Sequence, residues 1–249
     1  MSHHIVEARN LVYTYPDGNR ALNGINFCIH HGEAVAVIGG NGAGKSTLLL
    51  HLNGFLRATS GEVRIGDFPV TRETLQQVRR TVGSVFQYPD DQLFMPTVFE
   101  DVAFGPLNMG LPPDEVERRV RDALETVGAS HLAARPPYRL SGGEKRVVAI
   151  AGVLAMEPSI LVMDEPGDGL DPAARRRLIN LLRGFHHTRI IATHDLDLVL
   201  DLCSRVLVLN GGRIEADGVP EEIFADAALL ERCRLELPLS RQLRHPVGA

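Results

Sequence analysis

Cysteine is scarce in this chain of 249 residues. Cys28, Cys203 and Cys233 are odd in number, far apart and never in a CxxC pair. That spacing argues against a disulfide framework or a thiolate metal cluster and leads to an expectation of buried, reduced thiols in a cytosolic protein. Long hydrophobic runs are also missing: no window of about 18 apolar residues occurs, so no segment is expected to span a bilayer. The opening MSHHIVEARN lacks the apolar core of a signal peptide. Positive charge is not in excess. Lys and Arg total 26 against 31 Asp and Glu, a net charge of −5, which argues against a nucleic-acid partner. Lysine itself is nearly absent, with only Lys45 and Lys145 among the basic residues. Arginine supplies the ordinary surface charge, so each lysine calls for a specific reason.

What is present is an apolar fraction of 44%, enough for a core, in a length that suits one large α/β domain or a domain plus a small appendage. IVEA and NLVYTY read as edge strands, and PDGN as a turn. INFCIHHGEAVAVIG starts as an alternating strand and ends in AVAVIG, the continuous apolar run of a strand covered on both faces. ILVMD (160–164) and RIIAT (189–193) have the same character, and RVLVLNGGRI reads as a hairpin around NGG. DEVERRVRDALETVG (114–128) places Val116, Val120, Ala123, Leu124 and Val127 on one helical face, stopped by Gly128. DPAARRRLINLLRGF (171–185) reads as a helix capped by Asp171. Strands alternating with helices predict a mostly parallel sheet between helical layers.

GGNGAGKS, Gly39 to Ser46, fits GxxxxGK[ST] and lies between a buried strand and a helix. In such a loop the backbone N–H groups and the helix N-terminus cradle phosphate oxygens, and a Cβ would block the approach. Lys45 is then the mobile cation for the β and γ phosphates, and Ser46 offers its hydroxyl to Mg²⁺. Asp164 and Glu165 end a buried strand, where open α/β sheets bind ligands. Asp164 suits the Mg²⁺ shell, and Glu165 suits the general base that polarises an attacking water. His194 ends the next buried strand and could face the γ-phosphate. The pairs His30–His31 and His186–His187 lack metal-ligand spacing and read as turn or surface residues.

LSGGEKR (140–146), ahead of that acidic strand, resembles the signature motif of ABC transporter ATPases, with Glu144 in place of the usual glutamine. With GGNGAGKST, Gln87, ILVMDE, GLD (169–171) and His194, the motifs stand in the family's order, and the resemblance covers about residues 4–225. It implies a P-loop NTPase α/β core with a mixed, mainly parallel sheet, an N-terminal antiparallel β-subdomain and a helical signature subdomain at about 88–158. The ATPase domain would run over 1–217, and 218–249 would form a small helical extension carrying Leu229, Leu230, Leu235, Leu237 and Leu243. It further implies ATP and Mg²⁺ as cofactors. Tyr15 would stack on adenine, with Tyr13 next in line. Gly39, Asn41, Gly42, Ala43, Gly44, Lys45, Ser46 and Thr47 would hold the phosphates, and Ser46, Gln87 and Asp164 the metal. Ser141, Gly142, Gly143 and Glu144 would complete the pocket of a second copy in a head-to-tail homodimer. Gly167 and Asp168 depart from the family pattern after DEP.

FQYPDDQLFMPTVFEDVAFGPLNMGL is similar to the cobalt-uptake type of energy-coupling-factor ATPase, as is LSGGEKRVVAIAGVLAMEP. That resemblance implies a peripheral subunit on the cytoplasmic face of the inner membrane. Its partners would be a transmembrane scaffold and a substrate-binding membrane subunit, with Leu93, Phe94 and Met95 at or beneath the docking surface. Cobalt is the implied cargo, with nickel, biotin or another vitamin, or a soluble non-transport ABC ATPase, as alternatives.

Overall fold

A computed structural model describes residues 4–242. In chain order the strands are β1 (His4–Thr14), β2 (Arg20–His30), β3 (Ala34–Ile38), β4 (Ser60–Ile65), β5 (Phe68–Pro69), β6 (Val82–Val85), β7 (Ile160–Asp164), β8 (Thr188–Ala192), β9 (Arg205–Asn210) and β10 (Arg213–Gly218). The helices are α1 (Lys45–Leu52), α2 (Leu75–Thr81), α3 (Val98–Asn108), α4 (Pro113–Thr126), α5 (Gly142–Leu154), α6 (Pro172–Arg183), α7 (Leu196–Leu202), α8 (Pro220–Ile223), α9 (Ala227–Arg232) and α10 (Leu239–Gln242). The chain divides into two compact units: residues 1–78 with 187–249, and residues 79–186.

The first unit holds an antiparallel sheet in the order β2-β1-β4-β5. The two edge strands expected at the N-terminus are one interior strand instead, since β1 pairs with both β2 and β4. The chain passes through the polar Arg9–Asn10 pair by a bulge, with Asn10 at φ 46. Asparagine tolerates that left-handed conformation, so the strand continues where sequence pattern alone reads a break. The same unit holds β3 between β8 and β9, parallel to both, with β10 antiparallel on β9. Every residue of β3 is buried, as the apolar run predicts. Leu229 and Leu230 of α9 are buried as well; Leu243 lies outside the described residues.

The second unit pairs β6 with β7 in parallel, Val85 opposite Met163. Beside them α3, α4 and α5 share a core of Val98, Val102, Val116, Val120, Leu124, Val148 and Ala151. Burying each valine or leucine contributes roughly 1.5–3 kcal/mol relative to leaving it exposed. The apolar face of α4 is the one read from its spacing. Helix α3 was not foreseen, because Gly105 and Pro106 lie inside it. A capping box drives it: Thr97 accepts from the Glu100 amide while the Glu100 carboxylate accepts from the Thr97 amide.

Candidate active site

In the first unit, β3 delivers the chain into the glycine loop. Gly39 has φ 154, and a Cβ there would stand 2.2 Å from the Leu209 carbonyl oxygen. Gly44, at φ 106, caps α1 and would push a Cβ to 2.7 Å from the Ala21 oxygen. Both positions therefore require glycine, and the loop turns tightly enough to open α1 with its first amides uncovered. Lys45 folds back over the loop, its Nζ donating to Gly39 O at 2.8 Å and Gly40 O at 3.3 Å. Asn41, Gly42 and Ser46 are exposed, whereas Ala43 and Thr47 are buried. A glycine loop that opens a helix, with a cation folded over it, is the chemistry that holds a polyphosphate. Because β8 lies parallel beside β3, Val37 opposite Ala192, the bend carrying exposed His194 leaves the sheet at the same edge as the loop. There Asp195 caps α7 by accepting from the Leu198 amide at 2.9 Å.

Tyr15 joins this group. It is half-buried, its hydroxyl lies 3.0 Å from Thr47 Oγ1, and Tyr13 packs edge-on against it with ring centroids 4.8 Å apart. Tyr13 is edge-on to His51 as well, and His51 Nδ1 lies 2.7 Å from Thr47 O at the far end of α1. Burial lowers the His51 pKa, which keeps the ring neutral.

In the second unit, Asp164 closes β7 and Glu165 follows at φ 46, only 8% exposed. A glutamate held in the left-handed region costs about 1–3 kcal/mol, and such strain persists where the surrounding structure over-determines it. The amide of Asp168 closes a turn onto the Glu165 carbonyl at 3.1 Å. Gln87 leaves the parallel neighbour β6 at the same end, so Gln87, Asp164 and Glu165 share one strand-end edge. The tip of α5 carries Ser141 as N-cap, and Glu144 completes a capping box. The Glu144 carboxylate accepts from the Ser141 amide and hydroxyl, each at 2.8 Å. Those bonds hold the Glu144 carboxyl below its usual range, the backbone one most. S-G-G-E is a capping-box spacing, which glutamate fills as glutamine would.

Sequence reasoning passed over Arg146. It is 4% exposed and forks onto the strand-end loop, Nη1 donating to Phe86 O at 2.8 Å and Nη2 to Gln87 O at 2.6 Å. Burial pushes its pKa down, and the carboxylates of Asp168, Asp164 and Glu165 push it back up. One buried guanidinium thus fixes the backbone of Gln87 while standing in the field of the acidic cluster. The signal available in the sequence was an arginine five residues after the cap, at the head of the apolar stretch of the helix.

The family model described as ABC transporter matches residues 22–168. The chain belongs to the ABC transporter family. A putative ABC transporter ATP-binding protein of Geobacter sulfurreducens is 69% identical to this ABC ATPase, covering 97% of each chain. The energy-coupling factor transporter ATP-binding protein EcfA of Methanocaldococcus jannaschii is 51% identical, over 94% of this chain and 86% of its own. Among solved structures, cbiO1 of Clostridium perfringens, described as part of the ABC transporter complex cbiONQ, has TM-score 0.81 and 43% identity. It covers 97% of this chain and 99% of its own. The ATP-binding cassette MJ0796, solved as a dimer in a post-hydrolysis state with ADP and Pi, has TM-score 0.78 and 29% identity, over 86% and 98%. Like them, this ABC protein is an ATP-binding subunit with the ABC ATPase fold, and its reaction is ATP hydrolysis.

The segment following Gln87 in this ABC ATPase divides its apolar residues between two faces. Leu93 packs against the helical core, whereas Phe94 is 63% exposed. Phe94 lies edge-on to Phe104 of α3, ring centroids 4.9 Å apart, and Phe104 and Leu107 are exposed beside it. The turn is anchored from within. Asp101 Oδ1 accepts from the Phe94 and Met95 amides, each at 3.0 Å. Gln92 Nε2 donates to Ala149 O at 3.0 Å, and Lys145 pairs with Asp90. Both lysines therefore have specific tasks, one on the phosphate loop and one tying α5 to this turn. No helix among the described residues is long and apolar enough to cross a membrane.

Proposed function

We propose that this protein is the ATPase of an energy-coupling-factor importer with a transition-metal cargo, cobalt first. The observation that carries the reading is the exposed Phe94–Phe104–Leu107 patch, presented on a turn that Asp101, Gln92 and Lys145 hold rigid. A rigid apolar patch beside the strand-end glutamine suits an apolar helix of a transmembrane scaffold. The similarity to EcfA and to the cbiO1 component supports the same assignment. The protein then acts peripherally on the cytoplasmic face of the membrane, alongside a second membrane subunit that holds the cargo.

In the proposed reaction, water attacks the γ-phosphorus in line. Glu165 polarises that water, held in register by its strained backbone, and Gln87 and His194 orient it. The loop amides from Gly39 to Thr47 and the Lys45 ammonium neutralise the developing charge, and Tyr15 stacks on the adenine. Ser46, Asp164 and Gln87 would hold Mg²⁺, which would supply electrostatic stabilisation of the phosphates. A second copy presents Ser141, Gly142, Gly143 and Glu144 at the tip of α5, so that two nucleotides join two head-to-tail subunits; the dimeric cassette neighbour supports this. Opening after hydrolysis levers the scaffold. The test is purification from membranes with a tagged chain, followed by cobalt, nickel and vitamin uptake in cells with and without it. Recovery of a membrane scaffold and loss of cobalt uptake on deletion are expected; recovery of the chain without any membrane protein would overturn the proposal.

A further inference from the structure

Helix α9 ends in a Schellman motif: the Leu235 amide donates to Leu230 O at 2.8 Å, and the Arg234 amide donates to Glu231 O at 3.1 Å. The residue in the left-handed position of that motif is normally glycine. Here it is Arg234, at φ 56. The strained turn lies directly on the phosphate loop. A methyl group built on Gly40 would be 3.4 Å from the Cys233 carbonyl oxygen, 3.5 Å from Arg234 Cβ and 3.9 Å from Arg234 Cδ. Gly40 also supplies one of the two carbonyls that receive the Lys45 ammonium. Arg234 is exposed and forms no ion pair among the described residues. Its stem is therefore spent on the loop while its charge is uncommitted.

We propose that Arg234 is a nucleotide-binding residue supplied by the C-terminal extension, a second side-chain cation, beside Lys45, for the polyphosphate of bound ATP. This rests on the ATP reading of the glycine loop. Two facts carry it: an arginine kept where glycine would relieve strain, and an arginine stem within van der Waals reach of Gly40, in a loop built for anions. Arginine suits the task because its planar fork grips phosphate oxygens in pairs and stays charged at every working pH.

Arg234→Gly separates this role from a structural one. Glycine relieves the left-handed turn, so the thermal midpoint is expected to hold or rise. Binding of a fluorescent ATP analogue should weaken by about 10-fold or more, the loss expected for one charged hydrogen-bonding group. Arg234→Lys should retain most of the affinity, and Arg234→Met should lose as much as glycine. The salt dependence of binding should flatten in both uncharged variants. ATP affinity within 2-fold of the parent in both Arg234→Gly and Arg234→Met, or an equal loss in Arg234→Lys, would overturn the proposal. Lys45→Ala, measured in parallel, keeps the two readings apart. If Lys45→Ala weakens binding and Arg234→Gly does not, only the present inference fails; if Lys45→Ala leaves binding intact, the ATP assignment of the loop fails first.

Discussion

Asp101 offers the sharpest test of how the turn after Gln87 is held. Its Oδ1 accepts both the Phe94 and Met95 amides, while no donor among the described residues reaches Oδ2. The residue is 8% exposed. Asp101→Ala leaves two amides without an acceptor, at about 1–3 kcal/mol each when buried, and these are only partly so. A loss of about 2–4 kcal/mol is therefore expected. Asp101→Asn puts an amide oxygen where Oδ1 was and removes a buried charge, so its net effect should stay within about 1 kcal/mol. Burial holds the Asp101 carboxyl above its ordinary value, against the pull of the two amides. The folded chain thus binds this proton more tightly than the unfolded one. Its contribution to stability falls as pH rises from about 3.9 to the folded value and is flat above that. Urea titrations of the three proteins between acidic and neutral pH provide the assay, read from midpoints at constant slope. Equal losses in Asp101→Asn and Asp101→Ala would refute the reasoning, because charge rather than acceptor geometry would then hold the turn.

Other substitutions probe the catalytic and docking assignments. Glu165→Gln should lower turnover by roughly 10²–10⁴ with ATP affinity retained, because the base is lost and the cradle is not; steady-state hydrolysis at the parental rate would remove Glu165 from that role. Arg146→Met strips two carbonyls of their donor and leaves the acidic cluster without its buried cation. It should lose about 3–5 kcal/mol of stability by denaturant unfolding, and a loss under about 1 kcal/mol would deny the guanidinium its part. Phe94→Ser combined with Phe104→Ser should leave the ATPase rate of the isolated chain within about 2-fold while abolishing co-purification with a membrane scaffold, since exposed aromatics anchor such contacts. Retention of the scaffold by that double variant would relocate the docking surface.

Much of the site was legible because its chemistry restricts residue type. Gly39 and Gly44 announce the loop because their backbone conformations and close backbone neighbours exclude a Cβ, and a buried strand ending in Asp164–Glu165 is too costly to leave unused. What could not be read depends on tertiary context. Nothing local foretells that Glu165 lies at φ 46, that Asn10 carries β1 through a bulge, or that Arg146 reaches back to the Gln87 carbonyl. Helix α3 was hidden by Pro106, although its Thr97–Glu100 cap was there to be seen. The apolar Leu93, Phe94 and Met95 were noticed as a group, but only packing separates inward Leu93 from outward Phe94.

The central claim is that one ATP is gripped by the Lys45 loop of one copy and the Ser141 helix tip of another. Sedimentation of Glu165→Gln with and without ATP and Mg²⁺ tests it most directly. The account expects the 27.2 kDa chain to double in mass only when ATP is added. It also expects Ser141→Arg, introduced in the same background, to bind ATP yet remain single. A mass of one chain at saturating ATP, or doubling that survives Ser141→Arg, would contradict it.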